Sequence, residues 1–301
     1  MRLAKLLPYV FAAKMKVILS IDQGDHSRVA AQEVMERPWP QYTTVNVITV
    51  LDNSLGSADA KRSEEARAFV ESIAAEIRQK NSSIEEVEAN VITGNPKAEI
   101  LNLAERSRAD LLVVGSRGRK GLQRLVLGSV SHALLLSIPC SILIARKPKG
   151  RFTSNKVLMA LDDSRFSDMV VEIVVRLPWP ADGEMLCVTA VPALSELMAD
   201  VKTGTDTQQA NAIYRKQYDQ AEHHLKNVCA RLGEKVTNVP IKYEILDGDP
   251  RETVIQKAKD WNAGLVMTGC RGKDWINRML IGSVSEAVAT WSECSVAVVK
   301  V

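Results

Sequence analysis

The chain lacks the features that most quickly assign a protein to a class. It has no excess of one charge, with a formal net charge of +3 over 301 residues. That balance gives no footing for nucleic-acid binding, which needs a concentrated basic surface. No apolar run approaches the roughly 20 residues needed to cross a bilayer, so no membrane partner is expected. The five cysteines, Cys140, Cys187, Cys229, Cys270 and Cys294, are odd in number and form no CxxC pair. This speaks against a disulfide framework and a zinc site, and favours a reducing compartment, the cytoplasm. Neither GxxxxGK[ST] nor GxGxxG, the two best-known phosphate-binding loops, is present.

What is present is a repeat. Gly115-Ser-Arg-Gly118, nine residues, then Gly128-Ser129 recurs as Gly269-Cys-Arg-Gly272, nine residues, then Gly282-Ser283. Val17-Ile-Leu-Ser-Ile-Asp22 recurs as Val157-Leu-Met-Ala-Leu-Asp162, and Pro38-Trp-Pro40 as Pro178-Trp-Pro180. Gly94-Asn-Pro96 recurs as Gly248-Asp-Pro250. The offset rises from 140 to 154, so the second half carries fourteen extra residues between Pro180 and Gly248. The polar stretch from Pro192 to Gln209 is the expected place for them. A chain of this length is normally about two domains, in agreement with the repeat. The halves run over 15–147 and 154–301. Residues 1–14 begin basic and turn apolar, faintly like a signal peptide, but Pro8 interrupts them and the second half has no such segment. They read as an extension outside the repeat, with Met15 as an alternative start.

Each half alternates short β-branched runs with segments of helical period. In the first, Val17–Ile21, Val45–Leu51, Val87–Thr93, Leu111–Val114 and Ser141–Ala145 read as strands. Several are apolar at every position. Such strands belong to a parallel sheet covered on both faces, here five-stranded and α/β in class. Ligands of these sheets bind beyond the carboxyl ends of the strands, where strand order reverses. Asp22, the end of the second strand near Val50, and the loop after Val114 all lie at such ends. Asp162, Ala190 and the loop after Thr268 are their counterparts.

The glycines suit close approach of an anion, and a helix starting at Ser129 or Ser283 adds a favourable dipole. Arg117, Arg119, Lys120 and Arg124 gather at the first loop. Two readings of the serines stay open: a hydroxyl for a phosphate oxygen, or a plain N-cap. Ser283-x-x-Glu286 has the form of a capping box. His26 reads as a solvated turn residue. Cys270 reads as a thiol in an exposed loop, near a helix N-terminus that lowers thiol pKa.

The G-x2-G-x9-G-[ST] spacing, the Asp ending the first strand and a Cys before the last strand together resemble the universal stress protein family. The likeness is to its tandem form and covers about residues 15–147 and 154–301. It implies two Rossmann-like domains of the adenine nucleotide alpha hydrolase type, helices covering both faces of each sheet. In the nucleotide-binding branch the glycine loop and next helix hold phosphates and ribose, and the first Asp and second strand hold adenine. Carried over, the first site comprises Asp22, Val50, Val114, Gly115, Arg117, Gly118, Gly128, Ser129 and Val130. The second comprises Asp162, Ala190, Thr268, Gly269, Arg271, Gly272, Gly282, Ser283 and Val284. The implied ligand is ATP or AMP, with or without Mg²⁺.

Two departures bear on this. Many members read Asp-Gly-Ser after the first strand; this chain reads Asp22-Gln-Gly24 and Asp162-Asp-Ser164, so the first site is expected to lose a hydroxyl. Asp274 and Trp275 make the second loop less welcoming to a triphosphate. No nucleophile–base pair or paired carboxylates stand beside the loops, so the expected role is regulatory binding in a stress response without fast turnover. A slow ATPase or transferase, with Asp22 or Asp163 holding Mg²⁺, and a non-binding scaffold are the alternatives. The two halves are expected to pair through their last strands, Ser141–Ile144 and Ser295–Val299, with a homodimer as the other option. On that expectation, Val298→Lys enlarges the particle in solution scattering and lowers its melting temperature; unchanged dimensions and melting would refute the pairing.

Overall fold

The computed structural model describes residues 14–52, 60–117, 127–146, 155–199, 207–272 and 281–300. Gly118, Arg119, Lys120, Arg124, Asp274, Trp275, the linker 147–150 and residues 1–13 lie outside the described residues. The chain falls into two compact units.

The first unit runs β1 (Lys16–Ser20), α1 (Asp25–Glu36), β2 (Thr43–Leu51), α2 (Ala60–Lys80), β3 (Ile84–Thr93), α3 (Pro96–Ser107), β4 (Leu111–Gly115), α4 (Ser129–Ser137) and β5 (Ser141–Ala145). Its strands are parallel in the order β3-β2-β1-β4-β5. The second runs β6 (Lys156–Ala160), α5 (Arg165–Arg176), β7 (Glu184–Val191), α6 (Leu194–Ala199), α7 (Thr207–Gly233), β8 (Ile241–Asp247), α8 (Pro250–Asp260), β9 (Leu265–Gly269), α9 (Ser283–Trp291) and β10 (Ser295–Val299). Its order, β8-β7-β6-β9-β10, repeats that of the first.

The apolar runs account for this layering. Every residue of β4 and of β9 is buried, as a central parallel strand covered on both faces requires. On α2 the stripe Ala66, Val70, Ile73, Ala74 and Ile77 is buried, three or four residues apart, while the other positions carry the charges. The repeated Pro-Trp-Pro closes a helix in each unit. Proline cannot continue the helix, and the tryptophan indole N–H donates back to a carbonyl of the last turn: Trp39 to Val34 O at 2.8 Å, Trp179 to Val174 O at 2.7 Å. Gly94 and Gly248 take φ of 154° and 115°, which side chains rarely adopt. Asn95 and Asp249 then cap α3 and α8, accepting from Ala98 N and Arg251 N, and proline occupies the first turn.

In Pro192–Gln209, the stretch expected to hold the extra residues of the second unit, the described residues are largely helical. Leu194–Ala199 forms α6, and α7 has 27 residues against 21 in α2. Leu-Ser-Glu-Leu-Met-Ala is mostly strong helix formers, a local preference that the polar neighbours mask.

Candidate functional site

Strand order reverses between β1 and β4 in the first unit and between β6 and β9 in the second. Ser20 pairs with both Ile48 of β2 and Val114 of β4, so two residues further on Asp22 comes level with Val50 and Ser116. Ala160 pairs with Val188 and Thr268, which brings Asp162 level with Ala190 and Cys270. The register thus gathers the predicted strand-end residues of each half at one crevice. The helix starts join them through one hydrogen bond each. Gly128 N donates to Ser116 O at 2.9 Å, and Gly282 N to Cys270 O at 2.8 Å. Val114 and Thr268 are buried there, and Val50 and Ala190 half-buried.

The aspartates shape the turn that follows the strand. Asp22 Oδ1 accepts from Ser27 Oγ at 2.6 Å and Gly24 N at 2.9 Å. Asp162 Oδ1 accepts from Ser167 Oγ at 2.7 Å and from the Ser164 hydroxyl. The hydroxyl missing at Gly24 is therefore replaced by a backbone N–H on the same carboxylate oxygen. Ser27 and Ser167 were not picked out from the sequence, although an Asp-x4-Ser spacing recurs in both halves.

The glycines do different jobs. A Cβ on Gly115 would lie 2.7 Å from His26 O and 2.8 Å from His26 C. A Cβ on Gly269 would lie 2.7 Å from Phe166 Cβ and 2.9 Å from its backbone. Here glycine lets the first turn of α1 or α5 press onto the strand end. Gly272 passes beside the aspartate, where a Cβ would stand 2.8 Å from Asp162 Oδ2. Gly128 and Gly282 are the N-caps of α4 and α9, in extended conformation, and no side chain caps either helix.

That corrects the capping readings. Ser129 and Ser283 are the first helical residues, one place too late to cap, and both are exposed. In the second unit Glu286 N bonds to Gly282 O, an ordinary helical bond, so there is no Ser283–Glu286 capping box. The serines that fasten the helices are Ser131 and Ser285, which donate to Gly115 O at 2.8 Å and Gly269 O at 2.6 Å. Each N-terminus thus keeps its first-turn N–H groups and the positive end of its dipole aimed past a glycine. Val130, 38% exposed, and the half-buried Val284 follow in the same turn.

Charge completes the first crevice. His26 is half-buried, not solvated, and its Nδ1 lies 3.2 Å from Ser116 Oγ. Burial is the main cause that pushes its pKa below the ordinary 6.5; Arg117 and Arg146 act in the same direction, against Asp25 and Asp22. In the second unit Phe166 holds the place of His26 and Cys270 that of Ser116. Arg271 lies 5.6 Å and Arg165 4.8 Å from the centre of the Phe166 ring. Cys270 is buried and burial raises its pKa, which overturns its reading as an exposed, activated thiol. His224 of α7 lies 3.9 Å from Asp163, a neighbour that the sequence did not disclose. Among the described residues no three His, Cys, Asp or Glu side chains gather as a metal site.

Two parallel sheets of identical order, each ending in a crevice with a glycine-capped helix aimed across it, define a tandem Rossmann-like protein of the adenine nucleotide alpha hydrolase fold. The chain belongs to the universal stress protein family, whose model matches it twice, over residues 15–146 and 153–300. It is similar to a universal stress protein of Methanocaldococcus jannaschii, MJ0531, with 38% identity over 63 residues, 21% of this chain and 37% of the relative. It is also similar to Mb2028c of Mycobacterium bovis, with 25% identity over 205 residues, 67% of this chain and 65% of the relative. It thus spans less than two thirds of either relative's length. In fold it resembles the crystal structure of a universal stress protein from Archaeoglobus fulgidus, with TM-score 0.65, 21% identity and coverage of 95% and 98%. A second likeness is a Pseudomonas aeruginosa protein, PA1789, with TM-score 0.62, 15% identity and coverage of 96% and 93%. Among the described residues no helix is long and apolar enough to cross a membrane.

Proposed function

We propose that each unit binds an adenine nucleotide, ATP or AMP, in the crevice at the carboxyl end of its sheet, and that the chain acts as a regulatory binder. The observation that carries this reading is the pair of glycine-capped helices: α4 and α9 start without a side-chain cap, directly beside the strand ends. Four features suit a phosphate there: N–H donors, the helix dipole, the glycine approach and Arg117 or Arg271 next to the loop. Val50 and Ala190, at the ends of β2 and β7, offer small apolar surface for the base.

The sites are not equivalent, so calorimetric titration of the whole protein with ATP is expected to resolve two unequal affinities. Mass spectrometry of protein released from mild purification is expected to show AMP or ATP carried along. Protein that carries no nucleotide and gives no heat with ATP or AMP would overturn the reading. Two equal affinities would overturn the asymmetry alone.

A further inference from the structure

The two crevices carry different chemistry at one matched pair of positions, His26 with Ser116 and Phe166 with Cys270. We propose that His26 couples binding of a phosphate-bearing nucleotide in the first unit to uptake of a proton, a coupling that Phe166 at the matched position cannot supply in the second. The inference rests on the reading of these crevices as nucleotide sites, and adds to it a proton linkage in the first.

The placement of His26 is tight. Its backbone is packed onto Gly115, where even a Cβ would approach to 2.7 Å, so the ring is delivered from a fixed point. Its Nδ1 reaches Ser116 Oγ at 3.2 Å, in the residue whose carbonyl accepts from the N-cap of α4. The charged groups around the ring come from four directions. Asp25 lies beside it on α1, Asp22 beyond β1, Arg117 beyond β4 and Arg146 beyond β5. In the free protein burial and the two arginines disfavour the charged imidazole, and the two aspartates only partly offset them.

A phosphate at the start of α4 changes that balance, because its negative charge opposes the field of Arg117 and Arg146 at the ring. The imidazole then takes a proton from solvent in a larger fraction of the molecules. The only bond formed is N–H on the ring, and no electrons change hands. Protonated Nδ1–H donates to Ser116 Oγ, and the Ser116 hydroxyl proton turns outward as a donor to the phosphate. Phe166 takes no proton, and its ring faces Arg165 and Arg271 as a cation–π partner instead.

The sign of the pH dependence follows. His26 has a higher pKa with ligand than without, so the first unit binds more tightly at low pH and loses affinity as pH rises through the bound-state value. A rise of half a pH unit in that value corresponds to about a threefold gain in affinity.

The test is calorimetry of the full chain with ATP near pH 6.5, close to the ordinary histidine value, in two buffers of different ionisation enthalpy. Native protein is expected to take up more protons at the first site than His26→Phe, which copies the second unit, or His26→Gln, which keeps a polar group beside Ser116. Titration of free ATP is common to all three proteins, so the difference between them belongs to the ring and the phosphate it faces. Proton NMR of the imidazole, assigned by its loss in His26→Gln, is expected to show its titration moving up by half a unit or more when ATP is added. Equal proton uptake in all three with ATP bound would overturn the role of His26 and leave the nucleotide reading standing. Absence of ATP binding to the native chain would overturn both.

Discussion

Replacing Gly128 with aspartate should weaken ATP binding by the first unit about a hundredfold, and should leave the fold at least as stable. Gly128 is the N-cap of α4, with φ of −62° and ψ of 152°, a conformation open to aspartate. An aspartate carboxylate there accepts from the first-turn N–H groups, a change that favours the helix by roughly a few tenths of a kcal/mol. The same oxygens occupy the place of a phosphate and repel it. Two charge-assisted hydrogen bonds lost, at about 1.5 kcal/mol each, amount to roughly a hundredfold in affinity. Calorimetric titration and thermal melting read the two effects separately. Unchanged affinity would remove the α4 N-terminus from the binding site, and a large fall in melting temperature would show that the loop cannot accept the side chain.

Gly115→Val should act in the opposite manner, destabilising the first unit by about 3 kcal/mol, the upper part of the range for overpacking. Its Cβ would fall 2.7 Å from a carbonyl oxygen and 2.8 Å from a carbonyl carbon of α1, and backbone cannot swing aside as a flexible side chain can. The start of α1 must lift from β4, and Asp22 and Ser27 with it. For a unit of this size the melting temperature is expected to drop by roughly 6–12 °C. Gly269→Val should do the same to the second unit through Phe166. A loss of ATP binding with no change in melting would show that Gly115 serves the ligand and not the packing.

These two substitutions also mark how far the sequence could be read. The repeat, the strand–helix alternation and the placing of Asp22 and Val50 at neighbouring strand ends were legible because they rest on period and spacing. The separate duties of the glycines were not. A missing Cβ looks the same in sequence whether it makes room for a phosphate, as proposed at Gly128, or for a neighbouring helix, as at Gly115. His26 was misjudged for a related reason. It is ninety positions from Ser116, and only the register of β1 against β4 brings them together. The serines that matter locally, Ser27 and Ser131, left a fainter signal in their recurrence as Ser167 and Ser285. Helix α6, six residues in a polar stretch, is too short to show a helical period in sequence.

The contact at Gly115 has one more consequence. The strand end grips residue 26 by its carbonyl and its Cβ, atoms that nearly every amino acid shares, so this contact does not depend on what lies beyond them. Residue 166 is held in the same way by Gly269. The fold therefore contains a socket whose tool can be exchanged while its mounting stays fixed. After duplication, one copy could carry a half-buried histidine and the other a buried phenylalanine on the same mounting. Divergence of this kind needs a single codon in one half and leaves the other half as it was.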